Sequence, residues 1–380
     1  MKKSRSLRQD LRVALVHDWL TGMRGGEKVL EVFCELFPQA TLFTLLHNKG
    51  AMSPLIEGMN IRTSFLDNLP FKEERYRNYL PIMPRAIESF DFSGFDLILS
   101  LSHCVAKGAI PKDKALHICY CFTPMRYVWE MYDEYFGKGR AGMLTRASMS
   151  LVAPYLRNWD LQTVRRVDHF VTSSTNVAER IARTYDRAAD VLYAPVDSSF
   201  FRVSKHHKGY YLIVSALVPY KRVDLAVEAF NKGGESLFIA GKGPELQNLK
   251  AMAKANIQFL GWQSDENLKE LYANCRALIF PGVEDFGIVP LEAMASGKPV
   301  IAFAKGGALE TVVDKGANAT GVFFHEQSAN ALLHAVRMFK QRRFHPPAIR
   351  KHAEKFSRDK FKEKLRIYIE EKVRQRFNRL

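Results

Sequence analysis

The feature of this sequence that most constrains its fold is an alternation of short apolar runs with longer amphipathic stretches. Short runs of apolar and β-branched residues are typical of buried strands, and the amphipathic stretches between them are typical of helices. Because strands that alternate with helices form parallel sheets, we expect a layered α/β protein. The predicted strands are 12–19, 40–46, 95–102, 117–123, 169–174 and 191–196, and, in a second series, 210–217, 236–240, 257–260, 277–281 and 299–304.

A short polar stretch separates the two series of predicted strands. Residues 204–209 read Ser-Lys-His-His-Lys-Gly, a composition that is typical of a linker. A chain of 380 residues has room for two domains of ordinary size. We therefore expect two Rossmann-like domains, at residues 1–200 and 201–355, followed by a tail at residues 356–380.

The charge of the chain indicates a negatively charged partner. Its 56 Lys and Arg against 40 Asp and Glu give a net charge of +16, and residues 337–380 alone hold 16 basic against 5 acidic residues. In this tail an apolar residue recurs at every fourth position, which predicts an amphipathic helix. We expect the apolar stripe to pack on the protein and the charged face to remain open to water or to an acidic surface. The stripe consists of Phe361, Leu365, Ile369, Val373 and Phe377.

The cysteine content and the hydropathy of the chain indicate its cellular compartment. The five cysteines are odd in number and mostly lie in apolar runs, as buried thiols of a reducing cytoplasm do. No further Cys or His lies near them at the spacing of a zinc site, so we expect no metal. No apolar run approaches the ~18 residues of a membrane span, and no apolar signal core follows the basic N-terminus. We expect a cytoplasmic protein, at most peripheral on the inner face of the cell membrane.

The segment 280–300 carries the most specific signal in the chain. A predicted strand ends at a Pro-Gly turn, Glu284 follows, and a helix begins near Gly287 with Glu292 about one turn inside it. The backbone amides that open such a helix point outward, where they suit phosphate or sugar oxygens. Carboxylates accept hydrogen bonds from hydroxyl groups, so the combination favours a polyhydroxylated, phosphorylated ligand. The outward amides belong to Phe286, Gly287 and Ile288.

Glu284 and Glu292, separated by seven residues, resemble the E-x7-E motif of the retaining glycosyltransferases of family four, which have the GT-B fold. The resemblance continues through residues 293–300 and covers most of the chain, from Val13 to about Phe324. In detail it is closest to bacterial O-antigen and exopolysaccharide mannosyltransferases. It implies an α/β protein of GT-B type, with two Rossmann-like domains that face across a cleft and a C-terminal helix, from about residue 356, that returns to the first domain.

The resemblance also implies roles for residues of the second domain. Glu292 binds the ribose of the nucleotide, Glu284 binds the transferred sugar, and the three amides contact the sugar and the diphosphate. Lys221 matches the family's lysine on the diphosphate, although Lys221 and Arg222 also fit a solvated helix start. Ala216 stands where the family usually has an arginine, so Arg222 or an arginine of the first domain is expected to substitute for it.

Two further turns of the second domain resemble the family's nucleotide-binding turns. Gly241 and Gly243 lie in a Gly-Lys-Gly-Pro turn after a predicted strand, where the family binds the nucleotide. Trp262 follows the next strand, and it fits either a cover for the base or an ordinary core tryptophan.

The first domain contributes candidates at the ends of its predicted strands. Gly25 and Gly26 open a helix and resemble the family's glycine loop beside the donor diphosphate. Asp18, just before this loop, fits either an acceptor contact or a turn-forming aspartate. His103 matches the family's histidine near the transferred sugar, and Arg126 fits either an acceptor phosphate or a packed aromatic loop.

The resulting hypothesis is the transfer of a hexosyl unit, with retained configuration, from a nucleotide diphosphate sugar to a glycan or lipid-linked acceptor. GDP-mannose is the first choice of donor and a UDP-sugar the second; no other cofactor is expected. The sequence contains no Asp-x-Asp motif, so basic groups rather than a divalent metal are expected to stabilise the leaving diphosphate. The predicted catalytic residues are His103, Lys221, Arg222 and Glu284.

Two other functions share parts of this pattern. A dinucleotide-dependent oxidoreductase requires G-x-G-x-x-G, but Leu246 occupies the third glycine position after Gly241 and Gly243. A basic nucleic-acid-binding protein is supported by the net charge alone, and no basic recognition motif with interleaved aromatic residues accompanies it. An anionic membrane fits the charge better, because residues 71–81 mix aromatic and basic residues as interfacial segments do; an ordinary surface loop is the alternative.

Overall fold

The computed structural model describes residues 11–137 and 142–377. These residues form two units. Unit 1 comprises the described residues up to Tyr193 together with those from Phe361 onward, and unit 2 comprises Ala194–Lys360. The tail thus divides between the units within its last helix rather than at residue 356.

Unit 1 is built on a parallel sheet whose described strands number seven, in the order β3-β2-β1-β4-β5-β6-β7. Its central strands are entirely buried, which explains their continuous apolar runs. The strand order reverses between β1 and β4, so the connections leave these neighbours in opposite directions and open a crevice at their carboxyl ends. The strands are β1 (Val13–His17), β2 (Thr41–Thr44), β3 (Asn60–Thr63), β4 (Leu97–Ser102), β5 (Leu116–Cys121), β6 (His169–Thr172) and β7 (Ala189–Val191).

Helices connect these strands and cover the sheet. The first of them begins at Gly25, directly after the loop that follows β1. The helices are α1 (Gly25–Leu36), α2 (Pro54–Glu57), α3 (Lys72–Arg75), α4 (Met83–Glu88), α5 (Tyr132–Phe136), α6 (Met143–Thr163) and α7 (Thr175–Tyr185).

Unit 2 repeats this plan with a parallel sheet whose described strands number six. Its order is β10-β9-β8-β11-β12-β13, and here the reversal falls between β8 and β11. The strands are β8 (Tyr211–Val214), β9 (Leu237–Ala240), β10 (Ile257–Gly261), β11 (Leu278–Phe280), β12 (Val300–Phe303) and β13 (Gly321–Phe324). The helices are α8 (Val223–Gly233), α9 (Leu246–Met252), α10 (Asp265–Asn274), α11 (Ile288–Ala295), α12 (Ala308–Thr311), α13 (Ala329–Gln341) and α14 (Pro346–Ala353).

The last helix, α15 (Arg358–Phe377), packs its apolar stripe on unit 1. Phe361 lies edge-on to Tyr120 of β5, with 5.9 Å between ring centroids. Beside the stripe, Lys362 pairs with Glu35 at 2.8 Å, and the hydroxyl of Tyr368 donates to Asp190 at 2.8 Å. The predicted docking of the stripe is therefore confirmed for its first four members, which are buried: Phe361, Leu365, Ile369 and Val373.

The sequence pattern and the structure differ at three strands. The residues of β3 are mostly exposed at the edge of the sheet, so no apolar run marks this strand. The strand β13 was also not predicted. The strand predicted at 191–196 was placed too late, because β7 spans Ala189–Val191.

The five cysteines are buried free thiols, as expected. Among the described residues, no helix combines the length and the apolar character that crossing a membrane requires.

Truncation of the docked stripe should destabilise unit 1. Ile369 is 0% exposed, so Ile369→Ala should lower the free energy of unfolding by about 2–5 kcal/mol through lost burial and a residual cavity. Chemical denaturation followed by circular dichroism measures this change. Ile367→Ala is the matched control, because Ile367 lies on the same helix with 49% exposure and its truncation should cost less than about 0.5 kcal/mol. Equal losses in the two variants would contradict the packing described here.

Candidate functional site

The strand reversal of unit 2 brings together the lysine and the glutamate that the sequence singles out. Lys221 ends a 3-10 turn after β8, and Glu284 follows the neighbouring strand β11. The ammonium group of Lys221 donates a hydrogen bond to Oε1 of Glu284. Both side chains are only partly exposed, and both line a small cavity of about 10 Å³ with Ser215 and Gly282. A cation and a carboxylate therefore share the carboxyl-end crevice of this sheet.

The backbone around Glu284 is fixed by the loop that follows β12. Glu284 forms a parallel bridge with Gly306, and the amide of Gly307 donates to the carbonyl of Glu284 at 2.9 Å. A Cβ atom at residue 307 would lie 2.3 Å from the backbone of Phe286, so only glycine allows this approach. The loop after β12 thus fixes the main chain at Glu284, and the side chain of Glu284 reaches Lys221.

The helix α11 begins directly after the loop that follows β11 and carries Glu284. Gly287 is its N-cap with φ of 91°, a conformation that glycine adopts without strain. The first amides of a helix have no partner within the helix, so those of Gly287 and Ile288 are donors at this crevice. The side chain of Phe286 is buried and lies 5.9 Å from the ring of Phe356, so it anchors the start of the helix.

Glu292 lies inside α11 with 8% exposure. Its Oε2 accepts a hydrogen bond from the hydroxyl of Tyr272 at 2.8 Å. Burial and the nearby charge of Glu292 raise the pKa of Tyr272 well above its usual value, so the phenol remains a donor at neutral pH. The second glutamate of the motif is therefore oriented by a buried tyrosine and is less accessible than Glu284.

The two glycines of the Gly-Lys-Gly-Pro turn allow the loops after β8 and β9 to pack together. A Cβ atom at residue 241 would lie 1.8 Å from the carbonyl oxygen of Ser215, and one at residue 243 would lie 2.2 Å from that of Leu217. The amide of Gly241 also donates to the carbonyl of Gly261 at 2.7 Å, which links this turn to the end of β10. The structure therefore gives Gly241 and Gly243 a packing role at the edge where a nucleotide was expected.

Trp262 is an exposed side chain at this edge and not a core residue. It is 66% exposed, and the ammonium of Lys242 lies 6.0 Å from its ring centroid. The alternative of an ordinary core tryptophan is therefore wrong. An exposed indole with a cation beside it is a surface on which an aromatic base can stack.

Arg222 is engaged by neighbouring polar groups. Its guanidinium forms an ion pair with Asp224 at 3.1 Å and donates to Gln327 at 3.4 Å. Ala216, at the position of the missing family arginine, is exposed beyond β8. In this conformation the guanidinium donors of Arg222 serve Asp224 and Gln327.

The reversal of unit 1 forms a second acid–base pair. Asp18 follows β1, and His103 follows the neighbouring strand β4. The Nδ1 atom of His103 lies 2.9 Å from Oδ2 of Asp18, and the imidazole is partly exposed. The carboxylate also accepts hydrogen bonds of 2.7–3.0 Å from four consecutive backbone amides, those of His103, Cys104, Val105 and Ala106.

The environment of Asp18 keeps its carboxylate ionised. Burial alone would raise the pKa of Asp18, but the neighbouring His103, through its charge and hydrogen bonds, lowers the pKa to about 2. The side chain is fully buried and both oxygens are occupied, so the structure does not agree with the expected acceptor contact. Asp18 instead fixes the loop after β4 and orients the imidazole of His103.

A buried lysine anchors the other end of the same loop. The ammonium of Lys107 lies 2.9 Å from Oδ1 of Asp160 and donates to the Asp160 carbonyl at 2.6 Å and to Thr163. His103 therefore projects from a short loop that is held at both ends by charged groups.

Sequence reasoning missed two residues of this cluster, His17 and Glu27. His17 is the last residue of β1, and its Nε2 lies 3.5 Å from Oε1 of the buried Glu27 in the first turn of α1. The sequence feature that could have identified His17 is its position directly before Asp18, at the end of a predicted strand. Gly25 and Gly26 begin the same helix, and a Cβ atom at residue 26 would lie 3.8 Å from the His17 ring.

Arg126 lies half-buried in the loop after β5, where it has an interaction within the fold. Among the described residues, no group of three or more His, Cys, Asp or Glu side chains is arranged to hold a metal ion.

Comparison with known proteins finds a family that matches unit 2. Residues 197–360 match the family described as glycosyl transferases group 1. The chain is 32% identical over 159 residues to the O-antigen chain mannosyltransferase RfbU of Salmonella typhimurium, with 39% of this chain and 45% of that protein covered.

A second relative is also a mannosyltransferase. The chain is 33% identical over 199 residues to the GDP-mannose-dependent alpha-(1-6)-phosphatidylinositol monomannoside mannosyltransferase of Mycobacterium tuberculosis, with 44% of this chain and 50% of that protein covered. The chain thus spans about half the length of the curated relatives it matches.

The solved structures extend the likeness to both units. The structure of Anabaena Alr3699/HepE in complex with UDP and glucose has a TM-score of 0.68 at 15% identity, and the match covers 94% of this chain and 98% of that one. This likeness shows the fold, which is of GT-B type with two parallel-sheet α/β domains.

Loss of the Asp18 carboxylate should destabilise unit 1 in a pH-dependent manner. Asp18→Asn should cost about 3 kcal/mol or more at pH 7, because an amide group cannot accept the hydrogen bonds of four backbone amides. Since the folded pKa lies below the unfolded one, the ionised group stabilises the fold above about pH 4 and less as the pH falls toward 2. The cost of the substitution should therefore shrink by about 2 kcal/mol between pH 4 and pH 2.

Chemical denaturation of both proteins across this pH range measures the effect. The control is Asp359→Asn, at an exposed position in the first turn of α15, which should change stability by less than about 1 kcal/mol at all pH values. A cost of Asp18→Asn that is independent of pH would contradict the role assigned to the carboxylate.

Proposed function

We propose that the protein is a retaining glycosyltransferase that moves a hexosyl unit from a nucleotide diphosphate sugar to a glycan or lipid-linked acceptor of surface polysaccharide. The observation that carries the proposal is the meeting of Lys221 and Glu284 at the strand reversal of the unit that matches the glycosyl transferases group 1 family. Open parallel sheets bind ligands at such reversals, beyond the carboxyl ends of their strands.

Lys221 is the cation for the departing diphosphate. Its ammonium stands at the reversal, and the amides of Gly287 and Ile288 lie at the start of the helix after Glu284. A helix N-terminus stabilises phosphate through its free amides and its dipole. Fixed positive groups that face the developing charge of a leaving group stabilise the transition state, so no metal is needed in this proposal.

Glu284 holds the transferred sugar. Its carboxylate accepts hydrogen bonds, and its ion pair with the partly exposed Lys221 can exchange for sugar hydroxyls when the diphosphate takes up the lysine. Glu292, oriented by the hydrogen bond from Tyr272, binds the ribose. The exposed Trp262 stacks on the base.

The acid–base pair of unit 1 acts on the sugar through His103. Asp18 accepts from Nδ1 of the imidazole, which leaves Nε2 as the atom that meets a ligand. His103 is the catalytic residue of this pair, whereas Asp18 positions it.

GDP-mannose is the first choice of donor, because both curated relatives described above are mannosyltransferases and one is named as GDP-mannose-dependent. A UDP-sugar is the second choice, because the Anabaena protein of the same fold was solved with UDP and glucose.

A lipid-linked acceptor requires access to a membrane, and α6 offers a surface for it. Leu144, Leu151 and Tyr155 recur at helical spacing and remain exposed, with Leu144 at 85%. Apolar side chains enter the headgroup region while Lys and Arg attract anionic lipids. The apolar stripe of α15 is buried, so the tail can contribute only its basic face.

Substitution of the paired residues should separate their roles in catalysis. Glu284→Ala should lower the turnover of GDP-mannose at least about 100-fold with little change in affinity for GDP, because in the proposed complex the carboxylate contacts the sugar and not the nucleotide. Lys221→Ala should weaken GDP binding about tenfold or more and also lower turnover, because its ammonium contacts the diphosphate. Calorimetric titration with GDP and an assay of GDP release measure the two effects.

The surface pair of Lys232 and Glu228 on α8 is the matched control for these substitutions. It is an ion pair at 2.7 Å in which both residues are about half exposed, so removal of either side chain should leave binding and turnover unchanged. Unaltered turnover in Glu284→Ala, or unaltered GDP affinity in Lys221→Ala, would refute the corresponding assignment.

Binding to anionic vesicles should depend on the exposed face of α6. Replacement of Leu144 and Leu151 by Ser should weaken co-sedimentation with phosphatidylglycerol vesicles more than tenfold, because each leucine loses about 2 kcal/mol of apolar burial. Binding of the unaltered protein should decrease with added salt. Leu309→Ser, at a position of unit 2 with 55% exposure, is the control and should bind normally. Binding that ignores lipid charge would overturn the membrane proposal.

A further inference from the structure

A second cavity of unit 2 lies at the amino-terminal edge of its sheet, opposite to the edge that carries Lys221 and Glu284. Its volume is about 230 Å³, smaller than the ~300 Å³ or more of a pocket for a drug-sized ligand. Residues directly before β8, β11 and β12 contribute to its wall, and the C-terminal end of α13 contributes the rest.

The wall of this cavity is strongly basic. Among the described residues that line it, six are basic and none is acidic. The remaining lining is polar, small or aromatic. The six basic residues are Lys205, His207, Arg276, Lys298, Lys340 and Arg342.

The two residues that precede strands have unused hydrogen-bonding capacity. Lys298 is 4% exposed, and its ammonium donates to the carbonyl of His206 at 2.6 Å, which leaves two of its three donors. The guanidinium of Arg276 lies 5.6 Å from the ring centroid of Tyr211, and within the described residues it has neither a hydrogen bond nor an ion pair. Both positive groups are thus presented without a carboxylate partner.

The two cations at the C-terminal end of α13 are better satisfied. Lys340 pairs with Glu235, and Arg342 donates to the carbonyl of Asp314, near the C-terminal end of α13. A helix C-terminus carries a partial negative charge, and the positive charges of these two residues offset it. The excess positive charge of the cavity therefore comes mainly from Arg276, Lys298 and Lys205.

Crowding of like charges at a partly buried position is costly unless an anion neutralises them. Burial lowers the pKa of His207, and the charges of Arg276 and Lys298 lower it further, so Arg276 and Lys298 each lie within electrostatic reach of His207. Arginine binds phosphate through two parallel hydrogen bonds, and lysine binds it as a compact positive charge.

We propose that this cavity binds a small soluble molecule through a phosphate group, held by Arg276 and Lys298. The site is separate from the proposed donor site, because its residues precede the strands whose opposite ends carry Lys221 and Glu284. A phosphorylated metabolite that binds there would act as an effector or a stabilising ligand of unit 2.

Calorimetric titration with inorganic pyrophosphate tests this proposal. The Lys221→Ala variant serves as the background, because pyrophosphate would also bind at the proposed donor site. In this background we expect saturable binding that Arg276→Gln weakens more than tenfold, since it removes contacts to a charged group. Lys298→Gln should have a similar effect, and thermal unfolding shows whether each variant remains folded.

The matched control is Arg343→Gln, an exposed arginine beside Arg342 that does not line the cavity; its affinity for pyrophosphate should stay within twofold. Absence of binding in the Lys221→Ala background, or binding that Arg276→Gln leaves unchanged, would overturn the proposal. Phosphatidylglycerol vesicles present the same phosphate chemistry at a membrane. Vesicle binding that is lost in Arg276→Gln and that pyrophosphate does not displace would assign the cavity to lipid and overturn the soluble ligand.

Discussion

The reversal of strand order within each parallel sheet is the constraint from which the rest of this structure follows. At a reversal, two neighbouring strands send their connections to opposite faces, so no connection covers the space beyond their carboxyl ends. Unit 1 reverses between β1 and β4, and unit 2 reverses between β8 and β11. In each unit, an acidic residue that follows one of these strands meets a basic residue that follows the other.

The two acid–base pairs differ in a way that suits different tasks. Asp18 is fully buried and accepts hydrogen bonds from four amides, so its position is fixed and it can orient His103 in one direction only. The side chains of Lys221 and Glu284 are 15% and 26% exposed, so a ligand can reach both charged groups. A ligand that offers a diphosphate to the lysine and hydroxyls to the glutamate can therefore replace their mutual contact.

The sequence predicts the buried strands and the loops at their ends, and it does so for a physical reason. The strands β1, β4 and β5 are buried on both faces, so each reads as a continuous apolar run. The edge strand β3 is mostly exposed and carries no such run, so its pairing with β2 is evident only in three dimensions. The motif that contains Glu284 and Glu292 is local, and spacing along the chain was enough to single it out. The roles of Asp18 and Arg222 were not readable in this way, because they depend on which amides, carboxylates and amide side chains the fold brings next to them.

The most direct measurement is the thermal unfolding of the full chain in the presence of a panel of nucleoside diphosphate sugars, each compared with its free nucleoside monophosphate. If the crevice at β8 and β11 binds an activated sugar, at least one member of the panel should raise the melting temperature of unit 2. At a hundred times its dissociation constant such a ligand adds about 2.7 kcal/mol to the stability of the folded state. GDP-mannose should give the largest rise, and the monophosphates should give less because they lack the second phosphate and the sugar. A panel in which no nucleotide sugar stabilises the protein would contradict the central conclusion.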